Sequence, residues 1–396
     1  MTAVRRVLVG VSGGIASYKA CSVVRQLKEV GAEVDVVMTA AAAEFVRPLT
    51  FEALSGHTVA TSLWERGRAL AHIDLGREAN LIVVCPATAN LLARAAQGIA
   101  DDLLTALLLA REIPVLAAPA MNDNMFAEHA TTANIAALSQ RGWTFVGPAV
   151  GSLAEGPSER PGRMVEPEEI VTAAQRLLWS PGSKLCGKRI LVTAGPTREF
   201  IDPVRMITNP SSGRMGIALA RAAHTRGAEV TLIAGPIQLP MPYGVNVVNV
   251  VTTAELRDEV AERLPEADVL IMAAAPADYA PCSPAETKLP REDGPRSLSL
   301  QPTPDVLKST AGMRSESCVT VGFALETNGD VDRARGKLVS KDLDLIVLNS
   351  ALESGSGFES ETNRVTLISQ SDSVELPVLS KQEVADHILD RVQNLL

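Results

Sequence analysis

Short apolar segments alternate with segments of helical spacing along this chain, and this rhythm constrains the fold more than any other feature. In the first half, the strand-like segments are residues 7–11, 33–38, 81–85 and 115–118. Helix-forming stretches such as residues 90–96 and 103–111 lie between them. Because these strands are apolar at nearly every position, we expect them to be buried on both faces. The pattern therefore predicts an α/β fold with a parallel sheet between layers of helices.

The second half repeats this rhythm after an interruption at residues 180–184, which read SPGSK. Proline, glycine and serine disfavour a continuing helix. A new strand is predicted at residues 189–194, then a helix at 215–226 and further strands at 229–234, 268–273 and 344–348. We therefore expect two domains, residues 1–180 and 188–396, joined by a linker at residues 181–187.

Composition excludes several classes of protein. The net charge is −9, so we expect no general attraction to nucleic acid or to an anionic membrane. No segment approaches the roughly 18 uninterrupted apolar residues of a transmembrane helix, and the first ten residues predict a strand rather than a signal peptide. The five cysteines form no CxxC pair and no zinc-type cluster. These features predict a cytoplasmic protein without a disulfide framework.

Three polar turns follow predicted strands of the first half. They read SGGIAS at residues 12–17, CPATAN at 85–90 and PAMNDNM at 119–125. Each one alone also suits an ordinary tight connection between a strand and a helix, and the first lacks the GxGxxG spacing of a dinucleotide site. Ligands in open α/β sheets bind beyond the carboxyl ends of the strands. We therefore expect the three turns to converge on one crevice.

Together with AHIDL at residues 71–75, these turns resemble the flavin-containing cysteine decarboxylases over residues 4–178. The resemblance implies a flavodoxin-like or Rossmann-like, doubly wound domain that binds FMN and assembles as a homotrimer. It implies FMN contacts from Gly13, Gly14, Ile15, Ala16, Thr39, Pro86, Ala87, Thr88 and Asn90. It also implies that His72 is the catalytic histidine and that Asn122 binds the carboxylate of the substrate.

The chemistry of such a decarboxylase explains these residue types. A cysteine amide loses CO2 slowly, because the carbanion that results has no group to accept its charge. Oxidation of the carbon that bears the thiol creates a C=S group that accepts these electrons, and a flavin supplies that oxidation. A histidine can transfer the thiol proton near neutral pH. An amide such as Asn122 can hold the carboxylate without neutralising it.

The flap segment of the first half departs from the pattern of this family. The family's flap usually reads like ACGxxGxGRM, and its cysteine acts as an acid. This chain reads LAEGPSERPGRM at residues 153–164, which is one residue longer and has Glu155 in place of the cysteine. We therefore expect Glu155 to be the proton donor. The alternative is that Glu155 is a solvated loop residue and that another group or water donates.

Polar turns also follow the predicted strands of the second half. They include GPT at residues 195–197, DPVR at 202–205, TNPSSGRMG at 208–216 and AAPADY at 274–279. Ser211 or Ser212 is expected to cap the next helix. Arg205 and Asn209 lie in the loop before it, where an anionic intermediate could be held. Lys337 and Lys341 are one helical turn apart, which suits either a triphosphate or a solvated helix face.

The second half strongly resembles phosphopantothenate–cysteine ligase over residues 187–396, which implies a Rossmann-like domain, a dimeric contact and the substrates 4'-phosphopantothenate, cysteine and CTP with Mg2+. The implied CTP contacts are Met272, Ala273, Ala274, Asp278, Lys288, Pro304, Asp305, Val306, Leu307, Phe323, Lys337 and Lys341. Lys288 is implied to assist formation of an acyl-cytidylate, and Asn209 to stabilise it until cysteine attacks. No protein ligand for the metal is implied. The two halves together resemble the bifunctional bacterial decarboxylase–ligases of coenzyme A biosynthesis.

Two other interpretations remain open from the sequence. In the first, a working ligase is fused to an FMN-binding half that has become regulatory or structural, and the departure at Glu155 keeps this interpretation open. In the second, the chain is an NAD-linked reductase on a Rossmann scaffold. That interpretation requires a GxGxxG turn followed by an acidic residue, which this chain lacks.

Overall fold

The structure, a computed structural model, describes residues 5–64, 70–291, 297–326, 331–350, 360 and 362–396. The chain divides into two units, Met1–Leu178 and Trp179–Leu396. Residues 181–187, predicted as a linker, make contacts inside the second unit. Leu185 is fully buried in its core, and the Ser183 hydroxyl donates to the Gln393 side-chain carbonyl at 3.0 Å.

The first unit alternates strands with helices along most of its length. Its strands are β1 (Arg6–Val11), β2 (Glu33–Met38), β3 (Leu81–Ala87), β4 (Val115–Pro119), β5 (Trp143–Phe145), β6 (Ala149–Val150) and β7 (Pro161–Arg163). Its helices are α1 (Ser17–Glu29), α2 (Ala40–Ala43), α3 (Pro48–Ser55), α4 (Ala71–Glu78), α5 (Ala89–Gln97), α6 (Leu103–Ala110), α7 (Asp123–Ala127), α8 (His129–Gln140) and α9 (Pro167–Trp179).

A parallel sheet in the order β2-β1-β3-β4-β5 forms the centre of the first unit. Val9 pairs with Val36 on one side and Val83 on the other, and all three side chains are buried. Because the strand order reverses between β1 and β3, a crevice opens at their carboxyl ends. The short strands β6 and β7 form a separate antiparallel pair at the two ends of the flap.

The second unit has the same alternation and a mixed edge. Its strands are β8 (Arg189–Ala194), β9 (Arg198–Phe200), β10 (Met206–Thr208), β11 (Glu229–Ala234), β12 (Asn246–Asn249), β13 (Val269–Met272), β14 (Tyr279–Pro281), β15 (Leu300–Pro302), β16 (Val319–Glu326), β17 (Leu345–Ser350), β18 (Thr362–Asn363), β19 (Val365–Ile368), β20 (Ser373–Glu375) and β21 (Leu379–Ser380). Its helices are α10 (Arg214–Thr225), α11 (Thr253–Arg263), α12 (Val306–Thr310), α13 (Val331–Ser340) and α14 (Lys381–Leu395).

The main sheet of the second unit has the order β12-β11-β8-β13-β16-β17-β19-β20. The first six strands in this order are parallel, and β19 and β20 add an antiparallel edge. The order of the parallel strands is that of a Rossmann sheet, with its reversal between β8 and β13. The predicted α/β fold with parallel sheets is therefore confirmed in both halves.

Helix α10 begins differently from the prediction. Its N-cap is Gly213, which has a left-handed φ of 76° and forms no side-chain cap hydrogen bond. The prediction that Ser211 or Ser212 caps this helix is therefore wrong. A Cβ on Gly213 would lie 2.4 Å from Cδ1 of Ile237, so the turn has no room for a side chain.

The cores of both units are mainly aliphatic. In the first unit, Leu91, Leu104 and Leu107 pack against Ile82 and Val84 of the sheet. In the part of the chain that the structure describes, no helix has the length and apolar character needed to cross a membrane.

Candidate active sites

A cavity of about 740 Å³ lies at the carboxyl edge of the first sheet. This size lies within the roughly 300–1,000 Å³ range of ligand pockets. The predicted residues that line it are Gly13, Gly14, Ile15, Ala16, Thr39, Thr88, Asn90, Asn122 and Glu155. The turns after β1, β2, β3 and β4 thus converge on one crevice. Pro86 and Ala87 are buried in β3 and do not line the cavity.

Ser12 joins the two turns at the point where the strand order reverses. Its hydroxyl donates to the carbonyl of Pro86 at 2.7 Å, and it accepts from the backbone N–H of Thr88 at 3.2 Å. The Thr88 hydroxyl in turn accepts from the N–H of Leu91 and caps α5. Backbone and capping bonds therefore fix the positions of both turns before any ligand binds.

The first turn fits closely against its neighbours and suits a flat ligand with a phosphate. A Cβ on Gly13 would lie 2.4 Å from the Cβ of Ala41, and a Cβ on Gly14 would lie 3.4 Å from Cγ2 of Thr88. Glycines here let the backbone approach a ligand at the start of α1, where N–H groups favour an anion. These residues fit a flavin mononucleotide.

The two ends of the flap, residues 153–155 and 162–164, line one side of this cavity. The amide of Asn122 donates to the carboxylate of Glu155, while its carbonyl oxygen accepts from the N–H of Asn124 at 2.8 Å and starts α7. The hydroxyl of Ser158 donates to Asp123 at 2.6 Å, and the Arg160 guanidinium lies 3.3 Å from the same carboxylate. Polar bonds thus anchor the flap to α7.

The pKa of the Asp123 carboxyl is lowered by these flap contacts. The hydrogen bond from Ser158 is the largest cause, and the positive charge of Arg160 adds to it. Gly162 supports the same contact, because a Cβ there would lie 2.7 Å from the carbonyl oxygen of Met121. The flap and the PAMNDNM turn therefore pack as one polar interface.

Arg94 also lines this cavity, although the sequence did not single it out. Its guanidinium pairs with Asp101 and, at 2.9 Å, with Asp102. Asn90 and Arg94 are four residues apart on α5, so both project from one face of that helix. That spacing was the signal available in the sequence.

The lining of the first cavity, as the described residues of this chain form it, contains no cysteine. All five cysteines lie in described parts of the chain, and none lines this cavity. Burial raises the pKa of the Cys85 thiol to about 12, so this thiol stays protonated. Burial also raises the pKa of Cys21.

His72 lies outside the cavity of its own chain. It is half-buried at the second position of α4, and its Nδ1 is a buried atom without a hydrogen-bond partner among the described residues. Since α4 leads into β3, its N-terminal end lies at the carboxyl edge of the sheet, where the cavity also lies. Within one chain, His72 therefore lies toward the same edge of the first sheet as the cavity but does not line it.

The second unit has a cavity of about 500 Å³ at the carboxyl edge of its own sheet. The predicted residues that line it are Met272, Ala273, Ala274, Asp278, Asp305, Val306, Leu307, Phe323, Lys341 and Asn209. The turn that starts α10, residues 211–216, also faces it. Among the predicted residues, Arg205, Lys288, Pro304 and Lys337 do not line this cavity.

Asn209 is held by two carbonyl groups across the crevice. Its amide donates to the carbonyl oxygen of Pro276 at 2.9 Å and to that of Ala275 at 3.3 Å. The loop before α10 is thereby tied to the loop after β13. The amide orientation is fixed by these two acceptors, so its carbonyl oxygen is directed away from them.

Asp202 joins Arg205 to the backbone of Leu289, the residue that follows Lys288. Asp202 is 1% exposed and accepts from the N–H groups of Arg205 at 2.8 Å and Leu289 at 3.2 Å. Burial raises the pKa of Asp202. The backbone donors and the charge of Arg205 lower it by more, so the pKa lies below its ordinary value. Arg205 also donates to the Leu289 carbonyl at 3.2 Å. Asp202 and Arg205 thus fix the backbone of Leu289, the residue after the exposed Lys288.

The two lysines predicted for a triphosphate have different environments. Lys341 lies one residue beyond the end of α13, lines the cavity and pairs with Asp305 at 3.0 Å. Lys337 is half-buried on α13 and does not line the cavity. Burial raises the pKa of Asp305, but the bond from Lys341 and the N–H of Lys308 lower it below the ordinary value.

Three polar residues of the second cavity were not predicted. They are Asn349 at the end of β17, Asn363 in β18 and Lys381 at the start of α14. Asn349 lies near the end of an apolar strand, which was a usable signal. The other two follow no motif. Among the described residues, no group of three or more histidine, cysteine, aspartate or glutamate side chains could hold a metal ion.

Comparison with known proteins gives consistent matches for both halves. A family model described as Flavoprotein matches residues 1–178, and one described as DNA/pantothenate metabolism flavoprotein C-terminal domain matches residues 185–396. The coenzyme A biosynthesis bifunctional protein CoaBC of Vibrio vulnificus (strain YJ016) is 46% identical over 396 residues, covering 99% of this chain and 98% of that protein. CoaBC of Mycobacterium tuberculosis (strain ATCC 25618 / H37Rv) is 47% identical over 408 residues, covering 99% and 97%.

The chain belongs to the CoaBC family of coenzyme A biosynthesis enzymes. A crystal structure of the C-terminal domain of a CoaBC protein is 38% identical, with a TM-score of 0.46, and the match covers 53% of this chain and 96% of that one. Membership in the CoaBC family confirms the resemblance drawn from the two sets of motifs. The chain is a bifunctional enzyme, its first unit is the flavoprotein half, and the NAD-linked alternative has no support.

Proposed function

We propose that the chain catalyses two successive steps of coenzyme A biosynthesis. The ligase half joins cysteine to 4'-phosphopantothenate with CTP, through an acyl-cytidylate. The decarboxylase half then converts phosphopantothenoylcysteine to 4'-phosphopantetheine with FMN. The observation that carries this proposal is that each set of motifs converges on its own cavity at the carboxyl edge of its own sheet. The free thiols suit a cytoplasmic location.

In the first cavity, we assign FMN to the turn of residues 13–16, Thr39 and the turn containing Thr88 and Asn90. Pro86 and Ala87 support that turn from within β3. Bound FMN supplies the two-electron oxidation of the carbon that bears the thiol. Asn122 orients the substrate through its carboxylate, and the flap excludes water.

Glu155 is assigned as the proton donor on the flap. The acid of the family pattern is a cysteine. No cysteine of this chain lines the cavity, so no other thiol takes its place. The other carboxyl group of the lining is Asp102, which pairs with Arg94 and accepts from the N–H of Thr105 at 2.8 Å. Glu155 accepts a hydrogen bond from Asn122, so a substrate that binds Asn122 lies next to the Glu155 carboxyl group.

We assign the transfer of the thiol proton to His72. This role requires an assembly of two or more copies of the chain. Because His72 does not line the cavity of its own chain, a second copy must bring its histidine to the site. Ile15 and Tyr18 are 64% and 62% exposed beside the cavity, and such apolar side chains favour a protein contact. A trimeric contact in this half and a dimeric contact in the ligase half would give a closed homo-oligomer.

In the second cavity, CTP with Mg2+ is assigned to the residues at the end of β13 and after it, at the start of α12 and within β16. The carboxylate of phosphopantothenate attacks the α-phosphorus, and pyrophosphate leaves. Lys288 offsets the charge that builds on the phosphoryl group, and Asn209 holds the acyl-cytidylate. Arg205 helps to position Lys288, because it donates a hydrogen bond to the carbonyl of the next residue, Leu289. The remaining residues assigned to CTP are Lys337 on α13 and Lys341 just after that helix.

Two half-reactions test the assignments separately. Purified protein that is yellow and releases CO2 from phosphopantothenoylcysteine supports the decarboxylase. Pyrophosphate release from CTP and phosphopantothenate in the absence of cysteine supports the ligase. The departure at Glu155 keeps a second candidate open, in which the flavin half binds FMN without catalysis. Pyrophosphate release without any CO2 release would support that candidate instead.

A further inference from the structure

A buried lysine of α1, which the assigned mechanism does not use, contacts the carboxyl end of the flap. Lys19 is 8% exposed, lies in the first turn of α1 and lines the first cavity. Its ammonium group donates to the carbonyl of Met164 at 3.3 Å and to the two carboxylate oxygens of Glu166 at 3.0 and 3.1 Å. Met164 is the last residue of the flap, and Glu166 follows two residues later. These three hydrogen bonds join α1 to the flap.

Lys19 also contacts the turn assigned to FMN. Its backbone N–H donates to the carbonyl of Ala16 at 3.0 Å, and Ala16 is the last residue of that turn. One residue therefore holds the FMN turn with its backbone and the flap with its side chain. A buried ammonium group is costly without partners, so the bonds to Met164 and Glu166 are needed to keep Lys19 in this position.

Glu166 also binds a cation of the flap itself. The guanidinium of Arg163, in β7, donates to the same carboxylate, and Arg163 lines the cavity. Gly151, just before the flap, leaves room for it, because a Cβ there would lie 3.1 Å from Nη1 of Arg163. Hydrogen bonds between charged groups are stronger than those between neutral groups. The Glu166 carboxylate is thus a strong joint between α1 and β7.

A second contact extends along the same face of α1. Gln26 lies seven residues after Lys19, which places it two turns further along that face. Its amide donates to the carboxylate of Glu168 at 2.8 Å, in the first turn of α9. Gln26 does not line the cavity, whereas Lys19 does. Helix α1 therefore holds the segment after the flap at two points, and Lys19 is the point at the cavity.

We propose that Lys19 is a positioning residue of the decarboxylase, which sets the position of the flap relative to the FMN turn through Met164 and Glu166. The proposal rests on the proposed decarboxylase function. Ser158 holds the middle of the flap to α7, and Lys19 holds its carboxyl end to the helix that begins at the FMN turn. The flap is thereby placed relative to the flavin as well as to the substrate-binding turn. Lys19 transfers no proton.

The test is a double-mutant cycle on the holoenzyme, with Lys19→Met, Glu166→Gln and the double variant. CO2 release gives kcat and KM for phosphopantothenoylcysteine. Each single change should raise KM about tenfold and lower kcat less than about twofold, because a charge-assisted contact that holds the flap is lost. The double variant should show about the same tenfold rise, since both changes break one contact. Protease cleavage of the flap should increase in all three variants.

Lys28→Met is the matched control. Lys28 is an exposed lysine of the same helix, outside the cavity lining, and its ammonium group donates to the carbonyl of Ser55 at 2.7 Å. This variant should match the wild type. Pyrophosphate release by the ligase half should stay unchanged in every variant. Bound flavin per chain should also stay unchanged, because Ser12 and Ser17 still hold the FMN turn.

An unchanged KM in Lys19→Met overturns the proposal. A rise of about 100-fold in the double variant also overturns it, because Lys19 and Glu166 would then act independently. Loss of flavin from Lys19→Met would assign the lysine to the cofactor and overturn the proposal as well. If Lys19→Met does not fold, Glu166→Gln must by itself raise both KM and flap cleavage. Failure of the decarboxylase function is distinct, since the wild type would then release no CO2.

Discussion

The side-chain amide of Asn122 donates a hydrogen bond to the carboxylate of Glu155 on the flap. Asn122 is the residue assigned to the carboxylate of the substrate, so a flap carboxylate occupies the position that the substrate needs. If the substrate carboxylate takes this hydrogen bond, it displaces Glu155 from Asn122, and Glu155 stays in the lining of the cavity. This displacement leaves the Glu155 carboxyl group beside the reacting atoms, where a proton donor is required.

Glu155→Gln tests this assignment of the donor. The variant should still release CO2, because that step needs no acid from the flap. It should form phosphopantetheine about 100-fold more slowly, and the oxidised enethiol should accumulate with the flavin left reduced. Product masses and flavin absorption measure both effects. Glu159→Gln, at an exposed flap glutamate that does not line the cavity, is the control. Normal phosphopantetheine output from Glu155→Gln would remove Glu155 from the mechanism.

The bond between Ser158 and Asp123 predicts how the flap closes. Ser158→Ala should raise the KM for phosphopantothenoylcysteine about fivefold and change kcat much less, because the flap opens more often but reacts normally when closed. Ser139→Ala, at an exposed serine on α8, should leave both constants unchanged. Equal losses in kcat and kcat/KM would show that Ser158 acts in the reaction rather than in closure.

The same bond has a pH dependence with a definite sign. The folded pKa of Asp123 is lowered, so its stabilising effect is complete above the ordinary aspartate value of about 4 and is lost as the pH falls through the lowered value. Protease cleavage of the flap should therefore stay constant at neutral pH and increase only in acid below that value. Asp123→Asn should remove this acid dependence. A flap that loosens between pH ~6 and ~7 would contradict the assignment.

The fold was largely predictable because buried parallel strands leave a clear apolar signal. Predicted strands 33–38, 189–194 and 229–234 coincide with β2, β8 and β11. The cap of α10 was mispredicted because the sequence contains two serines before Gly213 but does not reveal the close approach of Ile237. Lys381 and Asn363 were missed because they come from distant parts of the chain, and only the packing of α14 and the pairing of β18 bring them to the cavity.

Asn209→Asp should stop the ligase after its first step. The amide donates to two carbonyl oxygens, so a carboxylate would lose both bonds and repel those oxygens as well as the cytidylate. Pyrophosphate should still be released once per site, but turnover with cysteine should fall about 100-fold. Trapping the intermediate by mass measures this. A variant that forms no intermediate would show lost CTP binding or misfolding instead.

Lys288→Gln should slow the first step of the ligase rather than the second. Pyrophosphate release without cysteine should fall about 100-fold, since an exposed cation that stabilises a phosphoryl group acts only in that step. The thermal midpoint should stay unchanged because the side chain is exposed. Arg291→Gln, at another exposed cation of the same loop, is the control. A wild-type rate of release would exclude Lys288.

Complete turnover tests the central claim most directly. The protein is given phosphopantothenate, CTP, cysteine and Mg2+, and the products are identified by mass. The account predicts phosphopantetheine, with one CO2 and one pyrophosphate released per molecule, and no product when any one substrate is omitted. Accumulation of phosphopantothenoylcysteine without decarboxylation would contradict the account, because the first cavity would then bind its flavin without catalysing a reaction.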